Sequence, residues 1–134
     1  MTEFFIELPV RWGDMDSFNH VSNVAYLRYI EDCRGQWMDA AGSRWQTGET
    51  GPVVANLTIN YRRPTYWPAT LRISTRPLSP GRSSIKLEHE IYLLPPGGGD
   101  PVLHADATTT LVWIDKHSGE PVPLPAVLRT SSTA

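Results

Sequence analysis

The chain has 134 residues, 40% hydrophobic and 19% charged, with a formal net charge of -2. That length suits one compact core, and the composition is that of an ordinary globular protein. The balance gives no footing for a nucleic-acid partner, no apolar run reaches membrane-spanning length, and one cysteine, Cys33, excludes an internal disulfide. A single domain over 1–134 is expected, with no membrane partner.

Residues 3–11, EFFIELPVR, are aromatic and β-branched and predict a first strand, with Pro9 favouring an edge or a strand end. Glu3 and Glu7 replace the basic leader of a secretion signal, so a cytoplasmic location is expected. A polar, turn-rich stretch, GDMDSFNHVSN, follows. From Val24 to about Ala41, residues Tyr26, Ile30, Cys33, Trp37 and Ala41 recur at three- and four-residue steps, predicting one long helix. Asn23 or Ser22 is its N-cap and Gly42 its stop; Arg28 and Asp32, four apart, form a surface pair.

After Gly51 the pattern changes to strands and turns. Val53, Ala55, Leu57, Ile59 and Tyr61 alternate with polar neighbours and are expected on one face. Thr70–Thr75, Ser84–Leu94 and Val102–Ile114 read as three more strands, with turn signals at Pro80-Gly81 and in PPGGGD. The tail is proline-rich from Pro121, and residues from about 127 to 134 are expected to be flexible. A helix with one apolar stripe and a run of antiparallel strands implies an α+β architecture in which the sheet wraps the helix.

Charge is unevenly placed. Arg62, Arg63, Arg72, Arg76, Arg82 and Lys86 are six of the twelve Lys and Arg residues, and no Asp or Glu lies between them. A locally basic middle in a mildly acidic chain points to a small anionic ligand. Arg82-Ser83-Ser84, after the Pro80-Gly81 turn, joins a guanidinium to hydroxyl and amide donors, a set able to hold phosphate. The histidines His20, His89, His104 and His117 lack ligand spacing, so no metal is expected.

The densest polar cluster runs from Arg11 to Asn23, between a strand and the helix start. Amides at a helix N-terminus lack intrahelical partners and favour negative charge. A carboxylate just upstream, with such donors aimed at a carbonyl oxygen, is minimal equipment for acyl transfer. Asp16 is the candidate; Asp14 reads as structural and paired with Arg11, while Glu31 and Asp32 read as helix-surface charges.

The segment RWGDMDSFNHVSNVAYLRYIEDCR resembles the signature of the 4-hydroxybenzoyl-CoA thioesterase family, close to D-x-D-x-x-x-H-V-N-N-x-x-Y-L-x-Y-x-E. INYRRP, PGRSSIKLEHEI and LVWIDKHSGEPVPLP extend the resemblance over most of the chain. It implies a hotdog fold, a curved antiparallel sheet around one central helix, and an acyl-CoA thioesterase. Asp16 then acts as nucleophile or general base, with the Asn23 amide at the thioester carbonyl and His20 organising the loop or touching substrate. Ser22 stands where many members carry asparagine, and Asn23 where a further group of relatives has histidine. Arg63, Arg82, Ser83 and Ser84 are the candidate contacts to coenzyme A, which enters as part of the substrate; no separate cofactor is implied. The family's active sites lie at a dimer interface, so a homodimer or homotetramer is expected. The rival readings are a hotdog hydratase or dehydratase, which leaves the thioester intact, and a non-catalytic acyl-CoA-binding module.

Overall fold

The computed structural model describes residues 3–131. Strand β1 (Phe4–Pro9) leads through a short 3-10 turn at Trp12–Asp14 to helix α1 (Asn23–Ala40). Strands β2 (Thr50–Tyr61), β3 (Thr70–Pro77), β4 (Ser84–Leu94) and β5 (Val102–Asp115) follow, then a short helix α2 (Ala126–Ser131). All five strands join one antiparallel sheet in the order β1-β3-β4-β5-β2, curved around α1 as the sequence predicts. Pro9 is the last residue of an edge strand, where its missing donor costs no ladder bond. Among the described residues no helix is long and apolar enough to cross a membrane.

Ser22 caps α1, its hydroxyl accepting the Val24 amide at 3.3 Å. At the other end Gly42 adopts φ +83°, and the Ser43 amide returns to the Met38 carbonyl, closing the helix. The buried face comprises Ala25, Tyr26, Tyr29, Ile30, Cys33, Arg34, Trp37 and Met38, and it packs on β1 and β3. The expected Arg28–Asp32 pair is replaced by a hydrogen bond from Gln36 Nε2 to Asp32 Oδ1 at 2.8 Å, an amide one turn further on competing successfully.

Two irregularities could not be counted from the sequence. A bulge at Ala55 shifts the β2 register, so Val54 pairs with buried Leu111 while Leu57, Ile59 and Tyr61 pair with Thr109, Ala107 and Ala105. Directly paired residues share a face, so the inward set is Val54, Leu57, Ile59 and Tyr61; Val53 points outward. A second shift, where Ile91 pairs with Ala105 but Tyr92 with Leu103, leaves His104 bulged.

The tail departs from the flexible segment expected beyond about residue 127. Leu124 and Leu128, four apart, are buried in a cluster with Trp37, Met38, Ile85, Leu87, Leu111 and Trp113. Arg129 donates to the carbonyls of Gly81 and Arg82 at 2.8 and 2.6 Å, tying α2 to the turn before β4. Residues 132–134 lie outside the described part.

Candidate active site

Asp16 sits at the base of a small loop that the backbone itself closes. Its amide donates to the His20 carbonyl at 3.0 Å, and its carbonyl accepts the Asn19 amide at 3.1 Å. Met15 and Val21 bridge across the loop, and Asn19 takes φ 69°, a left-handed conformation that asparagine tolerates better than most residues. The carboxylate is held as well: Oδ1 accepts the Phe18 amide at 2.9 Å, while Oδ2 lies 3.8 Å from His20 Nδ1. That separation exceeds a hydrogen bond. His20 Nδ1 is nearer the Val21 carbonyl, at 3.3 Å.

Asp14, two residues earlier, has a different fate. Its Oδ2 accepts the Arg11 amide at 2.9 Å and the Tyr29 hydroxyl at 2.7 Å. The pairing with Arg11 is therefore to backbone, not guanidinium. Burial, then the hydrogen bond to Asp14 and its charge, push the Tyr29 phenol well above its ordinary pKa.

The loop faces a pocket of about 380 Å³ lined by Asp16, His20, Asn23, Tyr26, Tyr61 and Arg63, among others. The end of β2 brings the opposite wall, Tyr61 followed by Arg62, Arg63 and Pro64. Asn23 is the first residue of α1, so its amide has no intrahelical acceptor; the Ser22 hydroxyl serves Val24 instead. Tyr61 stacks edge-on against Tyr26 with centroids 5.2 Å apart, and its hydroxyl donates to the Asn23 carbonyl at 3.3 Å. Behind this wall the Tyr26 hydroxyl donates to Thr65 Oγ1 at 2.9 Å, and Thr65 Oγ1 lies 2.7 Å from His104 Nδ1. The Thr65 carbonyl accepts the Val21 amide, and the His104 carbonyl accepts the amides of Arg62 and Arg63. Burial, followed by the Arg63 charge, lowers the His104 pKa, which favours the neutral ring as acceptor from Thr65. One buried chain thus fixes the loop, the helix start and the end of β2 together.

Of the candidate residues, Asp16, His20, Asn23 and Arg63 line this one pocket. Arg82, Ser83 and Ser84 do not join them. Ser84 opens β4, seven residues from the Ile91 position level with Tyr61, a separation of roughly 23 Å along the strand. There the backbone carbonyls of Arg82 and Ser83 accept the amides of Leu124 and Trp113. Half of the basic stretch is also neutralised: Arg62 binds Asp106 at 2.7 Å, Arg72 binds Glu7 at 3.3 Å, and Arg76 pairs with Glu88. Glu7 and Asp106 come from strands distant in sequence, and Glu88 from the strand that follows β3. Arg63 has no ion pair among the described residues. Sequence reasoning missed Thr65 and His104, whose 39-residue separation carries no local signal. Glu31, 70% exposed, and Asp32 stand away from the loop on the helix surface. Among the described residues no group of three His, Cys, Asp or Glu side chains is placed to hold a metal.

A five-stranded antiparallel sheet curved around one long helix is the hotdog architecture, and the 4-hydroxybenzoyl-CoA thioesterase structure superposes with a TM-score of 0.87 at 16% identity, covering 98% of this chain and 99% of that one. The sequence adds the family: the thioesterase-like superfamily profile matches residues 10–131. The chain belongs to that superfamily, and its reaction is thioester hydrolysis. Over 125 residues it is 32% identical to the long-chain acyl-CoA thioesterase FadM of Escherichia coli, covering 92% of each chain. Among solved structures it resembles the PA2801 protein of Pseudomonas aeruginosa, with 32% identity, a TM-score of 0.87, and 97% and 98% of the two chains covered. It also resembles a Thermus thermophilus thioesterase complexed with coenzyme A and zinc, at 28% identity and a TM-score of 0.80, covering 96% of this chain and 90% of that one.

Proposed function

We propose that the substrate is an acyl-CoA thioester and that Asp16 is the carboxylate that opens it. The carrying observation is the contrast between two acids in one loop. Asp14 spends an oxygen on Arg11 and Tyr29, whereas Asp16 keeps Oδ2 at the pocket wall beside His20. Asp16 either attacks the thioester carbon, giving a mixed anhydride that water then cleaves, or removes a proton from the attacking water. In both routes the carbonyl oxygen gains negative charge, which the Asn23 amide and the α1 dipole stabilise. The carbon–sulfur bond breaks, the thiolate leaves with the electron pair, and a proton from solvent completes coenzyme A. His20, held towards the Val21 carbonyl, orients the loop and borders the bound acyl group. Arg63, without an ion pair among the described residues, faces the nucleotide phosphates.

A homodimer belongs to this reading. β2 is a twelve-residue edge strand with Val53 and Val54 43% and 47% exposed, and α1 exposes Val24 and Leu27. Long apolar edges invite pairing with a second copy. Arg82, Ser83 and Ser84 reach an acyl-CoA at the Asp16 pocket only across such a boundary.

Thiol release from a panel of acyl-CoAs by wild type and Asp16→Asn tests the assignment. The asparagine can still accept the Phe18 amide, so acyl-CoA binding is expected to persist while turnover falls by roughly a hundredfold or more. Unchanged turnover sinks the role of Asp16. Loss of enoyl-CoA absorbance without free thiol would instead indicate hydration, and binding without either product a non-catalytic module. Light scattering that finds a monomer at working concentration removes the shared-site component.

A further inference from the structure

His104 takes no part in the chemistry at Asp16, yet it ends a buried chain of side chains that reaches the start of α1. The register shift between Ile91 and Tyr92 leaves it bulged from β5 and buried. Its Nδ1 lies 2.7 Å from the Oγ1 of buried Thr65, and that oxygen accepts the Tyr26 hydroxyl at 2.9 Å.

The direction of this chain follows from its protons. Each hydroxyl has one proton to give. Burial raises the Tyr26 pKa, so the phenol keeps its proton and donates it to Thr65. Thr65 then gives its own to Nδ1, its other polar neighbour. Reversing the chain would leave the proton of buried Tyr26 without an acceptor among the described residues. Nδ1 must therefore be bare, with the ring proton on Nε2. That nitrogen has no protein partner among the described residues and is not one of the sealed, unpartnered atoms, so solvent reaches the ring there.

Protonation turns Nδ1 from acceptor into donor. Tyr26 and His104 then both aim protons at Thr65 Oγ1, and the threonine proton is stranded inside the protein. The strain falls on the helix start. The Thr65 carbonyl holds the Val21 amide, Tyr26 lies in the first turn of α1, and Tyr61 packs on Tyr26 while donating to the Asn23 carbonyl. Arg63, at the end of β2, is the cation that acts on His104, whereas Arg62 is held by Asp106 of β5. Across the bulge β4 presents Ile91 and Tyr92, and α1 reaches His104 through the neutral Tyr26.

We propose that His104 is a positioning residue for the hydrolysis: its unprotonated Nδ1 completes the Tyr26–Thr65 chain that seats the Asn23 amide, and its protonation in acid unseats that amide and stops turnover. This role rests on the Asn23 amide being the donor to the thioester carbonyl.

The test is the pH profile of kcat for thiol release from an acyl-CoA, over the range in which circular dichroism shows a folded chain. Wild type should lose turnover as pH falls below about 6.5, since burial and then the Arg63 charge move the His104 pKa down from the ordinary histidine value. His104→Asn places Oδ1 where Nδ1 stood, accepts the Thr65 proton and cannot titrate. It should keep wild-type turnover at pH 8 and lose the acidic limb that His104 contributes. Ionisations of Asp16 and His20 are common to both proteins, so the difference between the profiles reports His104 alone.

His104→Leu offers no acceptor and should lower kcat roughly tenfold at every pH, with little change in KM. Arg63→Gln should move the limb to higher pH, because the opposing charge is gone, and this readout survives a His104→Leu variant that fails to fold. Long-range 15N NMR of the unliganded chain at pH 8 should show the Nε2–H tautomer of His104, whichever group opens the thioester. An Nδ1–H tautomer, a His104→Asn profile that matches wild type in acid, an unmoved limb in Arg63→Gln, or full kcat in folded His104→Leu overturns the proposal. Should Asp16→Asn remain active, the carboxylate assignment fails by itself, and the same limb measured in that variant still supports or overturns the role of His104.

Discussion

The Tyr29 hydroxyl donates to Asp14 Oδ2 at 2.7 Å, the same oxygen that accepts the Arg11 amide. This bond joins the second turn of α1 to the strand-to-helix loop, and it commits one of two neighbouring carboxylates to structure. Tyr29→Phe removes a hydrogen bond to a charged, partly buried acceptor. It should cost about 1.5–3 kcal/mol in urea unfolding, with loss of activity secondary to loop loosening.

The two loop acids should separate cleanly in paired assays. Asp14→Asn is expected to lower the unfolding midpoint, because the amide meets the Arg11 amide and the Tyr29 hydroxyl with a weaker acceptor. Asp16→Asn is expected to leave the midpoint nearly unchanged while thiol release collapses. A reversed pattern, with Asp14→Asn stable and inactive, would transfer the catalytic role.

His89 predicts an acid-sensitive core. Its Nε2 lies 2.8 Å from Thr109 Oγ1, and its Nδ1 lies 3.2 Å from both Thr75 Oγ1 and the Ser74 carbonyl. Burial first, then the Arg34 charge, lower its pKa to about 4. An unfolded histidine titrates near 6.5. Between those values the unfolded chain takes up a proton that the folded chain refuses, so stability is whole above pH 6.5 and falls as pH drops towards 4. The loss amounts to about 3 kcal/mol across that window. Denaturant midpoints from pH 7 to pH 4.5 should show the slope, and His89→Gln should flatten it.

The C-terminal helix should matter to folding. Leu128 is fully buried against the cluster around Trp37 and Trp113. Leu128→Ala should destabilise by about 2–5 kcal/mol, visible in thermal unfolding. An unchanged melting temperature would mean that α2 contributes nothing to the core.

Periodicity predicted the five strands and the long helix because each is a local pattern of apolar residues. The stop at Gly42 was likewise legible, since few residues other than glycine accept φ +83°. The resemblance of residues 11–34 pointed to Asp16 and His20 as candidates, because both lie in one continuous segment.

Other features arise only when distant segments meet. The bulge at Ala55 reverses which of Val53 and Val54 faces inward, and no alternation rule reports a bulge before its partner strand is known. The arginines of the middle segment read as an anion site until Glu7, Glu88 and Asp106 arrive from neighbouring strands to neutralise three of them. Thr65 and His104 carry no signal of their own, because their value lies in one 2.7 Å contact behind the pocket. The sequence by itself determined the class of fold and the loop that bears the carboxylate. Tertiary structure decided which acid remains available in that loop, because that depends on what packs against a side chain.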